Sequence, residues 1–359
     1  MISFESITDK VMNGARLGDD EALWLFRSSA LLEIGALASS VNERKNGRRV
    51  FFNVNRHINY TNICVNRCSF CAFSRTQNEP GAYALSLEDI RKKAEEALSQ
   101  GATEIHIVGG LHPDLPFSYY TEMLRTVRSV SSRLHIKAFT AVEIDYLSRI
   151  SGLSLGETLA ALMEAGLGSL PGGGAEILAG GVRQRLCPEK ISGERWLEVM
   201  REVHGAGLRS NTTMLYGHLE GYEDRIDHMR RLRELQDETG GFQVFIPLPF
   251  QTENNPLSFE RKWRGGGVDD LKTLAVARIY LDNFANIKAY WVMLGEKIAQ
   301  VSLAFGVNDL DGTVVEEKIG HDAGARSPQA MDREEIEILI RKAGRVPVER
   351  DTLYNVVNR

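Results

Sequence analysis

The sequence predicts an α/β fold, a full or partial TIM-type (β/α) barrel with helical additions at both ends. Two observations carry this reading. Short β-rich runs alternate with amphipathic helical stretches roughly every 30–40 residues, the spacing of βα units in a parallel sheet. Five or six such units follow one another with no linker, internal repeat or low-complexity stretch between them, and 359 residues suffice for one large domain.

Residues 1–50 read as helical, with apolar positions at Leu23, Leu25, Phe26, Leu31, Leu32, Ile34 and Leu37, and a basic turn over 42–49. Strands are expected over 50–55, 104–108, 135–140, 167–170, 208–216, 242–249 and 287–292. Between them, helices are expected over 87–100, 118–132, 155–165, 193–205, 222–239 and 269–284. Ser86, followed by Glu88 and Asp89, has the form of a helix cap. Residues 307–327 are rich in Gly and Asp, and 332–344 reads as a charged helix. The chain therefore divides into an N-terminal helical extension (1–50), a barrel (51–306) and a C-terminal extension packed on it (307–359).

Composition narrows the function. With 43 Lys and Arg against 48 Asp and Glu, the net charge of −5 gives no reason to expect nucleic acid or an acidic membrane as partner. No apolar run approaches the ~20 residues needed to span a bilayer, and the N-terminus does not read as a signal peptide. A cytoplasmic protein is expected. In a reducing compartment the 4 cysteines are better suited to metal or redox chemistry than to disulfides.

In a parallel barrel, chemistry gathers in the loops at the C-terminal ends of the strands. The first such loop holds Cys64, Cys68 and Cys71, spaced C-x3-C-x2-C. One curl of the loop brings three thiolates to a metal centre. A 4Fe–4S cluster usually takes four cysteines, so three leave one iron open to a substrate. A structural zinc site, completed by Cys187 or His57, is the alternative, although no second C-x2-C is present. The next loop carries Gly109 and Gly110, and later ones carry Glu143, the run Pro171 to Glu176, and His218.

The cysteine run resembles the signature of the radical S-adenosylmethionine (SAM) superfamily. The resemblance implies a 4Fe–4S cluster on Cys64, Cys68 and Cys71, with SAM on the open iron as co-substrate. It places Phe70 against the adenine region and Gly109–Gly110 where backbone receives the methionine amino group. The stretches 140–143, 169–176, 213–218 and 239–247 look like one subgroup, which holds two activities of menaquinone synthesis and a subunit of a deazaflavin-forming synthase. Within it, 308–313, 316–319 and 323–325 look most like the aminofutalosine synthase family. This implies addition of a 5′-deoxyadenosyl radical to 3-[(1-carboxyvinyl)oxy]benzoate, with rearrangement and loss of carboxylate, giving 6-amino-6-deoxyfutalosine. An electron donor such as a flavodoxin or ferredoxin is implied as partner. The alternative within the subgroup is the dehypoxanthine futalosine cyclase family, which abstracts hydrogen and closes a ring.

A substrate with two carboxylates calls for cations or convergent donors. Arg56, His57, Arg75, His218 and Arg278 are candidates by position, each otherwise a surface arginine or a satisfied histidine. His218, ending a strand, is the candidate catalytic residue. Glu143 and Glu176 are candidate SAM contacts through ribose hydroxyls or the amino group; Glu176 could instead cap a helix. The glycines at 172–174 could cradle phosphate, but no P-loop Lys-Ser/Thr accompanies them. Cys187 reads as a buried structural thiol, His112 as a turn cap, and 225–233 as a solvated helix face.

Overall fold

A computed structural model describes residues 2–259 and 266–358. Its strands are β1 (Arg49–Asn53), β2 (Asn55–Ile58), β3 (Glu104–Ile107), β4 (His135–Ala138), β5 (Ser169–Leu170), β6 (Arg209–Tyr216), β7 (Phe242–Pro249), β8 (Asn286–Ile287), β9 (Asp309–Gly312) and β10 (Val346–Glu349). β2 to β8 form a seven-stranded sheet in sequence order, every pairing parallel, as successive right-handed βα units require. This is the partial TIM-type barrel expected.

Helices follow the strands where amphipathic pattern and caps coincide. Leu155–Ala165, Gly193–Gly205 and Tyr222–Thr239 match the expected ranges, while Leu87–Ser99 and Phe117–Val130 fall within two residues of theirs. Ser86 with Asp89, and Ser154 with Glu157, close reciprocal capping boxes. The core lies between sheet and helices: Ile105 and Ile107 of β3 are fully buried, as are Met123, Leu124 and Val127 of the following helix.

The structure departs from the sequence reading at identifiable places. The run 50–55 is not one strand. β1 joins a separate three-stranded sheet, ordered β10-β1-β9, and the barrel begins at β2. The expected strand 287–292 stops at Ile287 and gives way to a helical turn over Trp291–Leu294. An unexpected helix, Ala141–Ser151, starts directly after β4 because Thr140 and Glu143 cap it reciprocally. The face at 225–233 is not simply solvated. Arg225 and Arg233 are buried, Arg225 on Glu220 and Asp269, Arg233 on the carbonyls of Leu17 and Tyr280.

The C-terminal segment closes the barrel. Asp309 bridges to Lys288 beyond β8, and Val315 bridges to Arg56 of β2, so residues 309–315 span the gap between the sheet's two edges. Thr313 makes this seam specific: its hydroxyl accepts from the Asn55 N–H (3.0 Å) and donates to the Asn55 carbonyl (2.8 Å). The seam holds Asp311, Val314 and Glu316 at φ of 70°, 48° and 65°. For a β-branched residue such as Val314 this is strained backbone, kept in place by surrounding hydrogen bonds.

Candidate active site at the barrel mouth

The loop after β2 is fastened on three sides. The Cys64 N–H donates to the Arg75 carbonyl (3.1 Å), the Val65 N–H to Leu111 (3.0 Å), and the Ser69 N–H to Leu186 (3.0 Å). Cys64, Cys68 and Cys71 are free thiols, Cys68 buried and the others half-buried. Burial pushes the Cys64 and Cys68 thiols up, so the low-dielectric loop disfavours bare thiolates. A bound metal offsets this by replacing the proton.

The Gly109–Gly110 turn packs directly against this loop. A Cβ on Gly110 would stand 2.2 Å from the Ile63 carbonyl oxygen, and one on Gly109 2.8 Å from the Tyr60 ring. Glycine is therefore demanded by close approach. The Gly110 N–H donates to Thr61 (2.8 Å) and the Gly109 N–H to Glu143 (3.1 Å). Glu143 is a hub: it also accepts from the Tyr60 hydroxyl (2.9 Å) and the Thr140 N–H (2.7 Å). Burial outweighs these donors and raises its carboxyl above the usual range. The glycines at 172 and 174 likewise serve packing, since a Cβ on Gly172 would lie 1.9 Å from the Asn211 carbonyl oxygen.

Phe70 and Glu176 meet through a residue the sequence reading did not single out. Lys190 sits 2.5 Å from the Glu176 carboxylate and 5.2 Å from the centre of the Phe70 ring. Burial pulls its ammonium down, but negative charge at Cys68, once it is a thiolate, and at Glu176 more than compensates and holds it charged. Only its place three residues after Cys187 marks it in the sequence. Glu176 lies at φ 50°, a backbone cost borne at the mouth.

His218 is fully engaged. One ring nitrogen accepts from the Leu219 N–H (2.7 Å), the other donates to the Leu215 carbonyl (2.9 Å), and burial keeps the ring neutral. In this arrangement the imidazole braces the turn after β6 and has no free nitrogen for proton transfer. Of the other cations, Arg56 points outward to Glu96 and Glu316, and Arg278 is held by the carbonyls of Gly306 and Ala285. Arg75 binds the carbonyls of Ala72 and Ser74 beside a cleft that also reaches His321 and Asp322. His112 caps its turn, accepting from the Asp114 N–H, and Cys187 is buried.

A (β/α) barrel with three cysteines on its first loop, packed against a Gly-Gly turn on the second, is the architecture of one enzyme class: the chain belongs to the radical SAM superfamily. It matches that superfamily over residues 58–232 and the CofH/MqnC C-terminal region over 239–359. It is 47% identical to the aminodeoxyfutalosine synthase of Thermus thermophilus, over 98% of this chain and 95% of that protein. Identity to the synthase of Streptomyces coelicolor is 44%, over 98% and 93%. It is also 44% identical, over 87% and 85%, to the 5-amino-6-(D-ribitylamino)uracil–L-tyrosine 4-hydroxyphenyl transferase of Methanopyrus kandleri. Among solved structures, methylornithine synthase shares the fold with a TM-score of 0.74 at 20% identity, over 95% of this chain and 97% of that one.

The superfamily uses a 4Fe–4S cluster and SAM, and the residues present fit them. The donor set is three sulfurs, the soft ligands iron–sulfur clusters take. Cys64, Cys68 and Cys71 would hold the cluster through their sulfurs.

Proposed function

We propose that this chain is an aminodeoxyfutalosine synthase. It would join the 5′-deoxyadenosyl group to 3-[(1-carboxyvinyl)oxy]benzoate, with rearrangement and loss of carboxylate, to give 6-amino-6-deoxyfutalosine for menaquinone synthesis. The observation that carries the reading is 47% identity spanning nearly the whole of both chains. A cytoplasmic location and a small flavodoxin- or ferredoxin-like electron donor belong to the same proposal. They accord with a helix set in which no described member is long and apolar enough to cross a membrane.

When bound, the cluster and SAM supply the adenosyl radical; the chain's work is to hold and shield. Cys64, Cys68 and Cys71 would ligate three irons. Phe70, backed by Lys190, offers a flat face for adenine, and Lys190 balances thiolate charge near Cys68. Glu176, already ion-paired, presents carboxylate oxygens to ribose or ammonium. Glu143 acts through the glycine turn: with both oxygens engaged, it fixes the height of Gly109 and Gly110 beside the cysteines. A primary radical is quenched by stray hydrogen donors, so this chemistry calls for a mouth closed around its substrates.

The archaeal tyrosine transferase relatives support a second reading, since 44% identity is close to 47%. One anaerobic experiment separates them. The reconstituted protein, reductant and SAM are incubated with the carboxyvinyloxy benzoate, with L-tyrosine plus 5-amino-6-(D-ribitylamino)uracil, or with dehypoxanthine futalosine, and products are read by mass spectrometry. Adduct from the benzoate alone, lost in Cys68→Ala, is expected. Adduct only from tyrosine, or a cyclised product only from dehypoxanthine futalosine, would overturn the assignment.

A further inference from the structure

Of the chain's 8 histidines, six have ring nitrogens hydrogen-bonded within the protein: His112, His135, His204, His218, His228 and His321. His57 and His106 differ. They occupy paired positions of β2 and β3, and their rings stack with centres 4.2 Å apart and planes 27° from parallel. The neighbour of His57, Arg56, reaches outward to Glu96 on the helix Leu87–Ser99, so strand alternation turns His57 to the barrel interior. His106, flanked by the fully buried Ile105 and Ile107, follows it.

Both rings are short of partners there. His57 is 5% exposed, and its Nε2 has no hydrogen bond. His106 makes no hydrogen bond to any described side chain and remains half-exposed in mid-strand. A buried polar atom without a partner is costly, and native structures leave few unexplained. The charged groups around the pair are already matched. Lys137 lies 2.7 Å from Glu104, Lys288 2.8 Å from Asp311, and Glu317 accepts from the Gly320 N–H and from His321. The two imidazoles thus stand beside charges that are already paired, and their ring nitrogens, with the unpartnered Asn55 side-chain amide nearby, offer hydrogen-bonding capacity to a ligand on this face.

We propose that the His57–His106 stack anchors the aryl carboxylate of the substrate at the floor of the barrel; this rests on the function proposed above. Depth selects that carboxylate over the other. His106 stands three residues before Gly109, about 10 Å below the glycine turn at the strand rise. The vinyl group must face the mouth, where the radical is generated, so the benzoate end of the molecule reaches downward. Imidazole N–H groups then donate to its carboxylate, and the stacked rings give the flat aryl group an apolar face.

The test uses the reconstituted holoenzyme and two variants, His106→Leu and His106→Gln. Losing one charge-assisted hydrogen bond is worth about ten- to a hundredfold in binding. His106→Leu should raise KM for the benzoate by that factor with a smaller change in kcat, and His106→Gln, which keeps an N–H donor, should recover most of it. The cluster absorbance and the slow SAM cleavage without substrate should stay at wild-type level in both. The analogue lacking the aryl carboxylate should show the same KM in wild type and His106→Leu. An unchanged KM for the benzoate, an equal rise for the analogue, or loss of the cluster with His106→Leu would overturn the inference. Wild-type protein that makes no adduct from the benzoate would overturn the functional reading itself, a result visible without any variant.

Discussion

The mouth of the barrel is assembled from residues close in sequence: Cys64, Cys68 and Cys71 lie on one loop, and the Gly109–Gly110 turn that supports them is one βα unit away. The seam is assembled from residues at the two ends of the chain, with Thr313 meeting Asn55 across 258 positions and Arg350 meeting Asp309 beneath β1. The cysteine loop is pinned largely by backbone hydrogen bonds, which leaves its three thiols free for chemistry. At the seam the side chains themselves are the structure: Arg350, Tyr354 and Lys288 enclose the Asp309 carboxylate, which also accepts from the Asp311 backbone N–H. A fold arranged this way separates the site that must accept a cofactor from the joint that must never open.

The sharpest way to break this comparison is Cys68→Ala. If the mouth is held by its backbone, the variant should lose cluster iron and visible absorbance and drop at least a thousandfold in SAM cleavage. Its thermal midpoint without iron should fall within a few degrees of the wild-type apoprotein. Unfolding on loss of the thiol would show that the cluster is also a structural staple.

This division also explains what could be read in advance. The barrel strands, most helices and the cysteine loop were legible, because periodicity, caps and C-x3-C-x2-C spacing are local signals. Lys190 was not, since a lone lysine carries no pattern until Glu176 and Phe70 are beside it. The split of 50–55 into β1 and β2 was equally hidden. Phe51 and Phe52 read as continuous with the strand ahead, and only the arrival of β9 and β10 from the far end of the chain draws β1 into another sheet. Arg225 looked like surface because its partner Asp269 lies 44 residues on. Lys190, β1 and Arg225 share one cause, partners distant in sequence that leave no periodic trace, whereas the unexpected helix Ala141–Ser151 starts on a local cap between Thr140 and Glu143.

Arg350→Met tests the seam directly. Arg350 places two nitrogens on Asp309 at 2.8 and 3.1 Å, both side chains at most 1% exposed. Removing the cation leaves a buried carboxylate short of its main partner, at a cost of about 3–5 kcal/mol. The lower half of that range is expected, because Tyr354 still donates to Asp309 (2.8 Å). The urea midpoint should shift accordingly, while the fully folded variant retains its cluster and SAM cleavage at low temperature. Loss of cluster iron from folded protein would show that seam and mouth are coupled.

The smallest effect is expected from pH at the seam's far end. His321 has a ring nitrogen 3.1 Å from the Glu317 carboxylate and 2.8 Å from its carbonyl, and the other nitrogen faces the Ser327 carbonyl at 3.2 Å. The Glu317 hydrogen bond outweighs burial and raises the imidazole to about 9 from its usual 6.5. A group whose proton is held more tightly in the folded state stabilises it fully below the unfolded value, and the benefit fades as pH rises through the folded one. Stability should therefore decline between pH 6.5 and 9. Allowing for solvent screening at this partly exposed site, the loss is roughly 1–2 kcal/mol. His321→Gln should flatten that slope without altering iron retention, measured by denaturant midpoints at pH 6, 7.5 and 9. A slope that survives the substitution would place the titrating group elsewhere, and one accompanied by loss of iron would mean that the cleft shared by Arg75 and His321 transmits the charge of the seam to the cysteine loop.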